Sequence, residues 1–337
     1  MSSTVEHLAA APRSTPMALP AATAARLDVA IWLLTAAAAA LVVLAIPVGA
    51  FRLSWDSFAG PAVALAVLIP AAWFYARVRN EPKLASALVG TAQIVAFASI
   101  GAPLSYVATA ASWSIPLQDH VLDVADKALG LDWRAVLTWM NAHSDLHPIF
   151  KHAYGSLTLQ ASIAILALAF TGRLIWLRVF MLAFIIAALI AIATMTVFPA
   201  YGVWGYYGLT PADYPHIDPV VRDLPVPIID GLRNGSYRLL LSIGAEGIIT
   251  FPSLHAAFAV ILVAAFWPLR LFRWLALALN SIVLASTPVD GAHYFVDIFA
   301  GLVVAALAIT AARTWAARTS GNSALMAQWH SAAQPIK

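Results

Sequence analysis

Apolar runs long enough to cross a lipid bilayer recur along this chain, and no arrangement in water would bury them all at once. A spanning helix needs about 20 mostly apolar residues. Stretches of that kind lie at roughly 28–50, 61–78, 84–110, 148–171, 174–197, 253–268, 271–289 and 293–315, the sixth short and the eighth carrying Asp297. Charged residues make up only 10% of the 337 positions, against roughly 25% in soluble domains, so too little polar surface remains to face water on every side. The expected fold class is all-α: a polytopic transmembrane helical bundle of about eight spans.

Basic residues give the bundle a direction. Arg77, Arg79 and Lys83 fall between spans two and three, Arg173 and Arg178 at the turn between four and five, Arg270 and Arg273 between six and seven, and Arg313 and Arg318 at the end of span eight. With eight spans all four groups share one side, which cytoplasmic enrichment of Lys and Arg makes the inner one. An odd count breaks that agreement. The chain is therefore expected in a bacterial-type inner membrane with both termini cytoplasmic. Residues 1–27, rich in Ala, Ser, Thr and Pro with Glu6, Arg13 and Arg26, read as a disordered arm. The apolar run that begins near Leu27 is long enough to span, so it reads as a retained helix rather than a cleaved signal. The small net charge of +3, scattered along the chain, gives no nucleic-acid footprint. The absence of cysteine removes disulfides, thiolate nucleophiles and Cys-based metal sites.

Two long segments fall on the opposite side. In 111–147, Leu117, Val121, Leu122, Val124, Ala125 and Leu129 alternate with Asp119, Asp123, Asp126 and Lys127, the pattern of an amphipathic helix lying on the membrane surface or of a surface loop with a helical turn. In 198–252, Trp204, Tyr206 and Tyr207 suit interfacial anchors, and several arginines precede the most informative stretch of the chain.

That stretch is Phe251-Pro252-Ser253-Leu254-His255, at the start of span six. A second runs from Ser286 through Asp290, Gly291, Ala292, His293 and Tyr294 to Asp297, at the start of span eight. Both fall on the same side of the membrane. Proline is favoured at the first helical position, so Pro252 predicts a helix start whose free amides near Ser253 and Leu254 attract an anion such as phosphate. The Ser253 hydroxyl adds a donor, and His255 in the first turn is placed to give a proton to a leaving oxygen. His293 and Asp297, four apart, share a helix face. A carboxylate partner fixes one imidazole tautomer and leaves the other nitrogen free as nucleophile or base. An ionisable group such as Asp297 in an apolar run is costly and usually functional.

The plainer readings are interfacial histidines that are merely solvated and an Asp that makes a polar contact between helices. His7, His120, His143, His147, His152, His216 and His330 take that reading. Two rivals use the same residues differently: a metal site on His255, His293 and Asp297 fits the ligand types, and a transporter or scaffold would keep the bundle without the chemistry.

Pro252-Ser253-Leu254-His255 and Ser286…His293-x-x-x-Asp297 resemble the second and third signature motifs of the type 2 phosphatidic acid phosphatase superfamily, and His293-Tyr294-Phe295-Val296-Asp297 followed by Gly301 is similar to its inositol-phosphotransferase-like branch. Ala125-Asp126-Lys127-Ala128-Leu129-Gly130-Leu131-Asp132-Trp133 and Ala153-Tyr154-Gly155-Ser156-Leu157 also resemble that branch. The resemblance covers roughly 110–305. It implies N-terminal helices over 28–110, a catalytic membrane domain over 111–318 and a cytoplasmic tail over 319–337. It implies that His293 attacks phosphorus, Asp297 orients it, His255 protonates the leaving group and then activates water or an alcohol, and Ser253 with backbone amides holds the phosphoryl oxygens of a lipid phosphate, with no metal or cofactor. Two departures stand out: Thr287 occupies the place where the third motif has Arg, and the first motif's Lys and Arg-Pro are missing. Arg233 is the first candidate to supply the lost cation, Arg238 the second and Arg222 the third.

Overall fold

The computed structural model describes residues 18–222, 225–242 and 247–320. Most of the N-terminal arm, the end of the tail, and His7 and His330 therefore lie outside the described residues. The chain forms α1 (Ala18–Val48), α2 (Trp55–Arg77), α3 (Pro82–Ala111), α4 (Asp119–Ala128), α5 (Trp133–Ala142), α6 (His147–Gly155), α7 (Leu157–Phe170), α8 (Leu174–Val197), α9 (Val203–Tyr207), α10 (Pro225–Asn234), α11 (Leu254–Phe266), α12 (Arg273–Asp290) and α13 (Phe295–Ser320). Two strands of two residues each, Arg52–Leu53 and Leu239–Leu240, pair in parallel, Arg52 opposite Leu239. The protein is an α-helical bundle, as the apolar runs require.

Among the described residues, five helices are long and apolar enough to cross a membrane: α1 from Ala22, α2, α3, α8 and α13. A sixth span arises if α6 and α7, bent by 44°, act as one. The eight-span expectation is larger by α11 and α12: α12 reaches 18 residues but carries Arg273, Asn280 and Asp290, and α11 is too short. α11 has 13 residues, about 20 Å at 1.5 Å per residue, short of the roughly 30 Å hydrocarbon core. α1 also begins earlier than the expected span, at Ala18.

α8 is the hub. It packs against α1, α3, α7, α11 and α13, and Leu177, Met181, Leu182 and Ile185 are fully buried. Lipid offers no hydrophobic drive between helices, so such close packing and polar contacts hold a bundle together. Arg178, expected at a loop, is instead buried in α8: its Nε and Nη2 donate to Asp28 of α1 at 3.1 Å each, and Gln93 of α3 donates to the same carboxylate at 2.7 Å. α2 sits at the rim, with Trp55, Val63, Val67 and Trp73 exposed. Exposed apolar surface of this extent marks a lipid-facing wall.

The basic ends cluster. Lys83 lies against Gly172, Arg313 sits 5.6 Å over the Trp176 ring, and Arg26 donates to the Thr319 carbonyl. The opposite end is capped by α4, α5, α9 and the loops. There Trp204 is buried and packs edge-on to Trp133, while Tyr207 stacks on Trp133 at 6.1 Å and bonds Asp123 through its hydroxyl. The aromatics read as interfacial anchors are thus largely the core of this cap. α4 is turned the other way from expectation too. Its carboxylates Asp119, Asp123 and Asp126 are buried, and Val121, Val124 and Leu129 are exposed.

Candidate active site

Ser253 is the N-cap of α11, its Oγ accepting from the Ala256 amide at 3.3 Å. Ser commonly occupies that position because its oxygen satisfies an orphan amide of the first turn. The helix begins at Leu254, two residues later than the proline signal predicts, and the Ser253 amide is engaged: it donates to the Asp297 carbonyl at 3.0 Å. Leu254 and His255 become the first two helical residues, whose amides have no acceptor within the helix.

The Ser253–Asp297 bond joins the two motifs directly. Gly301, one turn further along α13, lets the helices approach, since a Cβ there would lie 2.5 Å from the Ser253 carbonyl oxygen. His293 precedes α13 instead of sitting on it, so its pairing with Asp297 spans the helix entry. His293 Nδ1 is 3.2 Å from Asp297 Oδ2, which also accepts from the Tyr294 amide at 2.9 Å. Asp297 is wholly buried, with Oδ1 unpartnered among the described residues. With that carboxylate ionised, Nδ1 holds the proton and Nε2 carries none.

The entry to α13 is held by α4, which sequence reasoning assigned to the membrane surface. Asp126 accepts from the Phe295 and Val296 amides at 2.8 Å each. Asp119 accepts from the Tyr201 and Gly202 amides and from the Tyr294 hydroxyl, at 3.0, 2.9 and 3.1 Å. Burial raises both carboxyls above their usual range, against the opposing pull of these donors. The signal was present in the sequence: 119, 123 and 126 share one helical face.

His255 and His293 line one cavity of about 230 Å³, walled by Phe97, Phe184 and Ile192 and closed near the histidines by Tyr154, Thr250 and Gly291. The His255 ring stacks on Tyr154, centroids 4.5 Å apart and planes 15° from parallel. Among the described residues, no lysine or arginine lines the cavity. Arg233 is spent elsewhere, donating to the Ser112 carbonyl and hydroxyl at 2.8 and 2.9 Å and to the Ile115 carbonyl at 2.7 Å. Arg238 donates to the Leu232 carbonyl at 2.6 Å and sits 5.1 Å over the Phe51 ring. The structure does not bring either arginine to the histidines.

Two other cations stand beside the cavity wall. Lys151, one turn before Tyr154, donates to Asp218 Oδ2 at 2.7 Å, and Arg222, next to the lining residue Val221, pairs with Asp218 Oδ1 at 3.2 Å. The Lys151 hydrogen bond holds the Asp218 carboxyl below its usual range. His147, read as a bystander, is buried with Nε2 3.2 Å from Asp290 Oδ1. That pair is 143 positions apart in the chain, beyond the reach of any local pattern. Among the described residues no group of three or more His, Asp or Glu is arranged to hold a metal ion.

The sequence profile of the PAP2 superfamily matches residues 120–311, more than half of the chain. No curated protein matches, and no solved structure does.

Proposed function

The chain belongs to the PAP2 superfamily, and on that footing we propose that it is a membrane-embedded phosphatase acting on a lipid-linked phosphate through a phosphohistidine intermediate. The observation that carries the reading is the convergence of His255 and His293 on one cavity, with Asp297 behind His293. His293 Nε2 attacks phosphorus, the N–P bond forms, and the bond to the lipid oxygen breaks as His255 gives that oxygen a proton. His255 then takes a proton from water, whose oxygen attacks phosphorus and breaks the N–P bond, releasing phosphate and restoring His293. The Leu254 and His255 amides and the Ser253 hydroxyl would receive phosphoryl oxygens at the start of α11.

Phosphoryl transfer relies on positioning and positive potential. Arg233 and Arg238 would have to surrender carbonyl partners to supply it. Lys151 and Arg222 need only release Asp218, a largely exposed carboxylate, and we assign them that role ahead of the other two. The gathering of Lys83, Arg26 and Arg313 at the far end of the bundle supports a periplasmic site and cytoplasmic termini in an inner membrane. The substrate's tail would stay in the bilayer while its headgroup enters the cavity.

A transferase shares the same intermediate, with an alcohol replacing water. The apolar wall of Phe97, Phe184 and Ile192 favours admitting a lipid alcohol, and the stretch from Ala125 to Trp133 resembles the inositol-phosphotransferase-like branch. The test is turnover of a panel of lipid phosphates and diphosphates by purified protein in vesicles, wild type against His293→Ala. Free phosphate or a transferred headgroup is expected from wild type only. Equal product from both would remove the mechanism.

A further inference from the structure

The Tyr154 hydroxyl is buried and, among the described residues, has no hydrogen-bond partner. A buried hydroxyl left unpaired costs about 1–3 kcal/mol, so a plain packing role would be met better by phenylalanine. Its surroundings place it at the reactive corner of the cavity. The Tyr154 ring stacks on His255, and a Cβ on Gly291 would lie 2.8 Å from Tyr154 Oη and 2.8 Å from His293 Cδ2. Gly291 therefore leaves open a corner shared by the tyrosine oxygen and the attacking imidazole, where any larger residue would intrude.

We propose that Tyr154 contacts the substrate, its hydroxyl donating to a phosphoryl oxygen of the group held between His293 and His255. This rests on the phosphatase reading and adds to it. Among the described residues the cavity lining has no lysine or arginine, and the chain lacks the Lys and Arg-Pro of the family's first motif, so a neutral donor at this point does part of what those cations would do. The hydroxyl keeps its proton throughout. It gains a partner when charge accumulates on the phosphoryl oxygens, and its effect falls on the transition state.

The test is Tyr154→Phe in full-length protein in vesicles, which keeps the ring stacked on His255 and removes only the oxygen. A fall in kcat of about 10²- to 10³-fold is expected, the usual cost of one such donor, with KM little changed and thermal stability without ligand equal to wild type or higher. Wild-type kcat in this variant, alongside an inactive His293→Ala, would overturn the proposal and leave the phosphatase reading standing. A fall in stability matching the loss of activity would mark a structural role and overturn it too. A second measurement needs no turnover: orthovanadate, a mimic of the five-coordinate transition state at phosphorus, should raise the melting temperature of wild type and raise that of Tyr154→Phe less. Equal shifts in both, or none in wild type, would also count against it.

Discussion

Replacing Gly301 by alanine should damage turnover far more than stability. The added Cβ would lie 2.5 Å from the Ser253 carbonyl oxygen, 3.0 Å from the Ala256 Cβ and 3.3 Å from the Ala257 amide nitrogen. Close carbon–oxygen contacts sit near 3.3 Å, so α11 and α13 would separate by about 0.8 Å. Two of the three obstructing atoms are backbone, and no rotamer change relieves them. Overpacking of this kind costs about 1–3 kcal/mol, partly offset by the roughly 1 kcal/mol by which alanine outperforms glycine in a helix. The net loss of stability is therefore only about 0–2 kcal/mol. The same displacement moves His255 on α11 relative to His293 before α13, and a misplacement near 1 Å can cost about 10²-fold in rate. The assay is lipid-phosphate turnover in vesicles with thermal unfolding in parallel. Gly155→Ala is the control, because a Cβ there meets nothing within 4 Å; it should leave turnover unchanged and stability equal to wild type or up to about 1 kcal/mol higher. Wild-type turnover by Gly301→Ala would refute the argument that helix contact sets the spacing of the histidines.

Asp126→Ala removes the acceptor of two amides at the start of α13 and should cost about 1–2 kcal/mol, the range of a lost N-cap, measured by thermal unfolding. His255→Ala should lower turnover by about 10²- to 10⁴-fold, the contribution of one general acid–base group. Arg233→Ala should reduce stability while leaving the kcat of the surviving folded protein near wild type, because its guanidinium serves the Ser112 and Ile115 carbonyls. Lys151→Ala and Arg222→Ala should raise KM for a phosphate substrate, measured by steady-state kinetics, more than Arg233→Ala does. Dialysis against a chelator should leave turnover intact, and loss restored by added divalent metal would return the metal reading.

The bundle was legible because lipid imposes a strong rule: the run that becomes α8 must be apolar on nearly every side, and apart from Arg178 and two threonines its sequence is. The motifs around His255 and His293 were legible for a related reason, since Pro252, Ser253 and Asp297 interrupt apolar runs where polar groups need a purpose. α4 was harder. Alternation of aspartates with valines and leucines fixes a helix with two faces and leaves open which one turns inward, and here the carboxylates do because the amides of Tyr201, Gly202, Phe295 and Val296 need acceptors. Arg233 misled for a similar reason. An arginine before a phosphate motif has the right charge, yet the carbonyls left after α3 ends also need a donor, and nothing in the local sequence announces them.

The central claim is covalent chemistry at His293, and trapping the intermediate tests it most directly. Protein in vesicles would be mixed with a lipid phosphate radiolabelled on phosphorus, quenched rapidly, and the label mapped by residue. A label stable to alkali, labile to acid, located at His293 and absent from His293→Ala is the predicted result. Label on another residue, or full turnover by His293→Ala, would contradict it.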